Sequence, residues 1–362
     1  MSYPAPDVPA ASANVDRLPR YPHARSPAPG EMLEVAPGVR WLRMPLPFAL
    51  DHINLWLLED QDEVGAGWAI VDTGFALPVV RECWEKILAD LAATPRGGRI
   101  TRIIVTHFHP DHIGLADWLS ARTGGPVQMT LGEYLTAHAV WNEIGGHGTQ
   151  PMLAQFRAHG LSRDRCAAIE AASGNYNRGV PSLPTSFRRL FAGDSLVIGD
   201  HCWEVRIGFG HSPEHVALYC AATQLLISGD ILLPRISTNI SVYAVTPHAD
   251  SLADYLGSLD RLRDLPEETL VLPSHGLPFH GLHARVDAQH AHHAERLALL
   301  ESACTQPRSA ADLLPTLFER ELDPHQTMFA MGEAIAHLNR LERSGRLRRQ
   351  AGSDGVTRFV RV

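Results

Sequence analysis

The sequence predicts an α/β chain built as a four-layer αββα sandwich, followed by a small C-terminal winged-helix-like domain. Three observations carry that expectation. Short apolar runs bounded by Gly, Pro and polar breaks alternate with segments whose apolar residues recur at helical spacing, and the alternation occurs twice along residues 31–285. Several of these apolar runs stop at a histidine or an aspartate, which places chemistry at strand ends. From residue 286 the pattern turns to helices and then to a hairpin around Gly352-Ser353-Asp354-Gly355. Two similar halves of sheet and helix bury their apolar faces most simply with the sheets back to back and the helices outside.

Residues 1–30, rich in Pro, Ala and Ser, read as a disordered or extended leader. A meander follows, with strands at 32–35, 39–43, 53–59 and 68–72. In the helix expected over 78–92, Val79, Val80, Cys83, Ile87, Leu88 and Leu91 fall near one face. Arg102-Ile103-Ile104-Val105 is a strand, and a helix is expected over 113–122. Residues 131–190 form an insertion, mostly helix and then loop, whose Tyr134, Trp141, Met152, Phe156 and Tyr176 either pack it onto the sandwich or form a lid. The second half has strands at 195–198, 202–208, 216–220 and 224–228, a helix near 250–263 and a last strand at 269–272. The C-terminal domain, residues 286–362, has helices near 287–301, 309–320 and 323–344, then a hairpin pairing 346–350 with 357–362.

Composition narrows the function. The 362 residues are 45% hydrophobic with no apolar run of membrane-spanning length, so a large core and no membrane partner are expected. Neither a secretory h-region nor another targeting segment is visible. The five scattered cysteines contain no C-x-x-C pair, which argues for reduced thiols and a cytoplasmic location. A net charge of −8 disfavours nucleic acid as a partner. The arginine-rich tail (Arg340, Arg343, Arg346, Arg348, Arg349, Arg358, Arg361) reads first as a solvated face or a homo-oligomer contact.

The densest chemistry lies in Thr106-His107-Phe108-His109-Pro110-Asp111-His112. In extended chain, residues two apart share a side, so His107 and His109 can grip one ion from a strand end. Pro110 then turns the chain and sends Asp111 and His112 towards a second point, where a carboxylate and an imidazole suit another divalent ion. With 20 histidines in the chain, such an arrangement arises by accident roughly a few times in a thousand. Further candidates sit at other strand ends: Gly210-His211-Ser212-Pro213-Glu214-His215, Gly229-Asp230 and Ser274-His275-Gly276.

In this order, with Val71-Asp72-Thr73-Gly74 ahead of them, these motifs resemble the metallo-β-lactamase superfamily of binuclear metallohydrolases over about residues 31–285. Asp230, where other members carry Cys, and the C-terminal pattern are similar to the branch of glyoxalase II and β-lactamase-like protein 2. The resemblance implies one ion on His107, His109 and His211, another on Asp111, His112 and His275, and Asp230 bridging them. Zinc is the expected metal, with iron or manganese as alternatives. Asp72 would stand behind the ligands and orient them, and His215 is expected to be structural or to support the ligand loop. Asp111 is the candidate catalytic proton acceptor.

Two such ions make a hydroxide nucleophile available at neutral pH, so the expected activity is hydrolysis, first of a cytoplasmic thioester or ester such as an acyl-CoA. A lactone also fits, whereas glutathione specificity lacks its basic binding region. The rivals are a metal-dependent nuclease and an iron-dependent oxidoreductase or dioxygenase on the same fold; a non-enzymatic binding module fits least, since no ligand is missing. Arg235, Asn239 and Tyr243, in the loop after Asp230, are candidate substrate contacts. His138, His147, His159, His201, His290, His292 and His293 read as solvated or packing residues, the last three on the polar face of a helix, while His248 and His280 are expected near loops bordering the site. Because every candidate ligand precedes residue 285, the C-terminal part is expected to serve stability, assembly or access more than the metal site.

Overall fold

Strands buried on both faces determine the layering. In the computed structural model, which describes residues 19–172 and 176–362, β1 (Leu33–Ala36), β2 (Val39–Pro45), β3 (His52–Asp62), β4 (Gly65–Val71), β5 (Ile100–Ile104), β6 (Val127–Met129) and β7 (Arg188–Arg189) form one sheet in that order. It is antiparallel from β1 to β4 and parallel from β4 to β7. The second sheet contains β8 (Ser195–Ile198), β9 (His201–Gly208), β10 (His215–Cys220), β11 (Leu225–Gly229) and β12 (Leu270–Pro273), in the order β12-β11-β10-β9-β8. There only β11 and β12 run parallel.

Alternation along the strands divides their side chains between two cores. On β3, Leu55 and Leu57 face outward with Val80, Trp84 and Ile87 of α1 (Pro78–Ala92), while Trp56 and Leu58 meet Trp203, Val205, Leu218 and Ile227 of the other sheet. On the far side, Ala217, Tyr219, Leu226 and Val271 pack under α7 (Ser251–Asp260) and α8 (Leu282–Ala303). The result is the expected helix–sheet–sheet–helix order.

The helix expected over 113–122 is two pieces, α2 (Pro110–Ile113) and α3 (Ala116–Thr123). The break falls at Leu115, which leaves the helical region at φ −110° and ψ 13°, and beside it a Cβ on Gly114 would come within 2.4 Å of Pro110 O and 2.5 Å of both Gly179 O and Gly74 O, so that position needs glycine. The insertion forms α4 (Leu131–Trp141), α5 (Thr149–Ala158) and α6 (Arg163–Ala172). Tyr134 and Trp141 pack with the first sheet's outer core, while Phe156, Cys166 and Ile169 join the core of α9 (Ala310–Leu317) and α10 (Pro324–Arg343). Both C-terminal helices open on capping boxes, Ser309 with Asp312 and Asp323 with Gln326. They lead into an antiparallel hairpin, β13 (Leu347–Ala351) and β14 (Thr357–Arg361).

Residues 1–18 of the expected leader lie outside the described residues. From there the chain is tied down: Arg20 exchanges two backbone hydrogen bonds with His280, and Arg25 pairs with Glu31. The five cysteines are free thiols, with only Cys202 exposed. Among the described residues no helix is long and apolar enough to cross a membrane.

Candidate metal centre

All the strand ends that carry candidate ligands emerge at one edge of the sandwich. Parallel β4 and β5 bring Asp72 beside Thr106, and parallel β11 and β12 bring Asp230 beside His275. The sheets are joined at this edge by Val216 N donating to Thr106 O and Asn54 N donating to Ser274 O.

Ligand-type atoms there fall into groups within 4.8 Å of one another: His107, His109 and His211; Asp111, His112 and His275; and His107, His112 and Asp230 linking the two. In the first group His107 Nε2 lies 2.9 Å from His109 Nδ1 and 3.2 Å from His211 Nε2. In the second, Asp111 Oδ2 lies 3.5 Å from His275 Nε2 and 3.7 Å from His112 Nε2. Asp230 sits between them. Its Oδ1 is 3.6 Å from both His112 Nε2 and His275 Nε2, and its Oδ2 is 3.5 Å from His211 Nε2.

The outer ring nitrogens show which way the lone pairs point. His211 Nδ1 donates to Asn239 O at 2.8 Å and His275 Nδ1 to His52 O at 2.8 Å, so in each ring Nε2 is the nitrogen turned to the cluster. His112 Nδ1 is held by Asp72 Oδ2 at 2.7 Å, and His107 Nδ1 lies 3.0 Å from the Thr106 hydroxyl. Thr106 in turn donates its hydroxyl and its N–H to the Asp72 carboxylate, both at 2.8 Å. His112 Nε2 and Asp230 Oδ1 are buried with no hydrogen-bond partner among the described residues, a costly state that an ion between them would remove. Imidazoles and carboxylates converging in this way fit a divalent metal.

Electrostatics divides the cluster. Burial, reinforced by neighbouring imidazoles, holds His107 and His109 well below the ordinary histidine range, which keeps them neutral as ligation requires. Burial also opposes protonation of His112, but the Asp72, Asp111 and Asp230 carboxylates outweigh it and raise its pKa well above the usual value. Likewise Asp230 would be raised by burial, yet His275 and His112 hold it well below.

Asp72 is fixed in the left-handed region at φ 61, sparsely populated by aspartate, and three contacts to Thr106 and His112 keep it there. His215 stacks on His107 with centroids 4.6 Å apart and accepts the Asp230 N–H at 3.0 Å. A Cβ on Gly229 would lie 2.3 Å from the His215 ring, so this packing needs glycine. Asn239 reaches the centre through its carbonyl, Tyr243 packs 6.1 Å from Phe108, and the Arg235 side chain is exposed.

His280 pairs with Arg20, and His248 accepts from Arg349 at 2.8 Å; among the described residues neither joins the ligand groups. One expectation is corrected. His293 is not on a polar face: it is fully buried against His337 at 3.1 Å. Sequence reasoning also missed His52 and Glu133. His52 supports His275 through its carbonyl and accepts the Gly276 N–H. Glu133, whose carboxyl burial pushes up to about 7, bonds to both ligand loops. Neither lies in a strand-end motif; only a buried acid inside an otherwise apolar helix start hinted at Glu133.

Comparison with known proteins agrees with this geometry. Residues 49–275 match the family profile described as Metallo-beta-lactamase superfamily, and residues 297–362 match Metallo-beta-lactamase-like, C-terminal domain. The chain is 27% identical to the Probable metallo-hydrolase YqjP of Bacillus subtilis over 83% of this chain and 91% of that protein. It is 28% identical to a hydroxyacylglutathione hydrolase of Pseudomonas entomophila over 61% of this chain and 76% of that protein. Among solved structures, a beta-lactamase domain protein from Burkholderia ambifaria superposes with a TM-score of 0.86 at 45% identity, covering 95% of this chain and 97% of that one.

Proposed function

This chain belongs to the metallo-β-lactamase superfamily, and from that membership and the geometry of its His/Asp cluster we propose that it is a binuclear metal-dependent hydrolase of a thioester or ester. The observation that carries the reading is the set of buried imidazoles whose outer nitrogens are tied to carbonyls, a hydroxyl or a carboxylate while their inner nitrogens converge. Two divalent ions held there, zinc by the donor set, would lower the pKa of a shared water and polarise the substrate carbonyl.

The protein's own groups supply the rest. The Asp111 side chain is 20% exposed against 10% for Asp230, which supports Asp111 as the candidate to take a proton from the attacking water and return it to the leaving group. Phe108, buried in the outer core with Tyr176 and Tyr243 at ring distances of 6.4 and 6.1 Å, makes the surroundings of His109 apolar, which favours an acyl group over a phosphodiester. Relatives named as hydroxyacylglutathione hydrolases support the same acyl class. The basic tail weighs against the nuclease alternative because several of its arginines are internally engaged: Arg346 with Glu301, Arg349 with Glu342, and Arg358 with Asp354.

A panel of thioesters, esters, lactones and phosphodiesters presented to zinc-loaded protein tests the ranking. The expected result is thioester or ester turnover that rises to a plateau near neutral pH. Efficient cutting of a structured RNA with thioesters and lactones inert would overturn it.

A further inference from the structure

We propose that Glu133, from the inserted helix α4, is a positioning residue that holds the His107/His109/His211 end of the centre in register and so sets metal affinity there selectively; this rests on the metal-centre reading above. Glu133 is fully buried, and a buried carboxylate is costly unless donors surround it. It has three donors, all on the two chain segments that carry these imidazoles. Oε2 accepts the Phe108 N–H at 3.0 Å, between His107 and His109. Oε1 accepts the Ser212 hydroxyl at 2.6 Å and the Glu214 N–H at 2.7 Å, immediately beyond His211.

One side chain therefore spans two loops whose imidazole nitrogens must stay 3.2 Å apart. The tie is doubled from the helix side, since Glu214 accepts the Gly132 N–H at 2.8 Å and its carbonyl accepts the Thr130 hydroxyl at 2.9 Å. An acid that only seated the helix would bond to its own helix or to the sheet. This one bonds to the ligand loops. Only an acceptor on both oxygens satisfies the set; glutamine would turn an NH2 group against Ser212 and Glu214 or against Phe108. Asp72 plays the matching part at the other end, through His112.

Metal-stripped protein titrated with Co²⁺, followed by visible absorption and calorimetry, tests the proposal. Wild type is expected to bind about two equivalents. Glu133→Gln should keep one equivalent near wild-type affinity and weaken the other by about tenfold or more, the scale for partners that orient ligands. Ser212→Ala, which removes a single donor, should weaken the same equivalent by less and provides the result if Glu133→Gln does not fold. A lowered urea midpoint with both equivalents bound as tightly as in wild type would show a structural role only and overturn the proposal. Equal loss of both equivalents, or Ser212→Ala within twofold of wild type, would do the same. Wild type that binds no cobalt would instead refute the metal-centre reading itself.

Discussion

Replacing His293 and His337 together by leucine should flatten the acid side of the protein's stability profile. His337 Nδ1 donates to Glu333 O at 2.8 Å, so its Nε2 is the acceptor for His293 Nδ1 at 3.1 Å. The pair lies between α8 and α10, with Tyr255 of α7 edge-on and His292, Arg296 and Glu333 around it. Burial, helped by the neighbouring His337, pushes His293 down to about 2, and burial takes His337 down to about 4. Folding thus favours the neutral forms. As pH falls below the unfolded value near 6.5, the unfolded chain takes up protons that the folded chain refuses, and stability is lost from there down to the folded pKa.

At pH 5.5, one unit below the unfolded value, the loss is about 1.4 kcal/mol for His337, and up to about twice that if His293 excludes its own proton independently. Removing both partners of a buried hydrogen bond in favour of apolar groups is close to neutral at pH 7.5. Urea titrations of both proteins at pH 7.5 and 5.5, followed by tryptophan fluorescence, give a double difference in which titration of the metal-centre histidines cancels. An acid sensitivity in the double variant within about 0.5 kcal/mol of wild type would refute the argument.

Asp230→Ala should lower bound metal from about two ions per chain to fewer than one, since its two oxygens face both groups; elemental analysis showing one intact site would contradict bridging. Asp72→Asn turns an amide towards the Thr106 donors and releases His112, so affinity at that end should fall about 10–100-fold by Co²⁺ titration, with a smaller loss at the other end, which Asp72 reaches only through Thr106 and His107. Arg285→Met removes the donor to Leu233 O, Arg235 O and Ile236 O, so protease cleavage within residues 233–241 should quicken and bound metal should fall. Unchanged cleavage and metal content would show that the loop stands without it.

Much of the layered fold was legible because its signals are local. Pro78 at the first helical position and apolar residues on one face marked α1, and alternating or continuous apolar runs marked β3, β9 and β11. The residues the motifs nominated come together for a related reason: a strand end is a defined point, and parallel neighbours put such points side by side. The need for glycine at position 114 was not legible, because it answers to carbonyls from Gly74 and Gly179, far along the chain. His293 was misread because helical periodicity placed it with His290 and His292, and nothing local announces that α10 brings His337 against it.

The same limit explains why the chain after residue 285 looked independent of the chemistry. Its link to the centre runs through backbone acceptors, which leave no trace in a sequence. Arg285 and Gln289 of α8 hold carbonyls of residues 233–236, and a Cβ on Gly332 of α10 would press on Ser241. Between these points lie Thr238, whose hydroxyl donates to Asp230 O, and Asn239, whose carbonyl orients His211. The loop that holds Asp230 and His211 is thus clasped by C-terminal helices, just as Glu133 clasps the opposite loops from the insertion. The candidate ligands belong to the strand ends, but their positions depend on two segments that supply none of them.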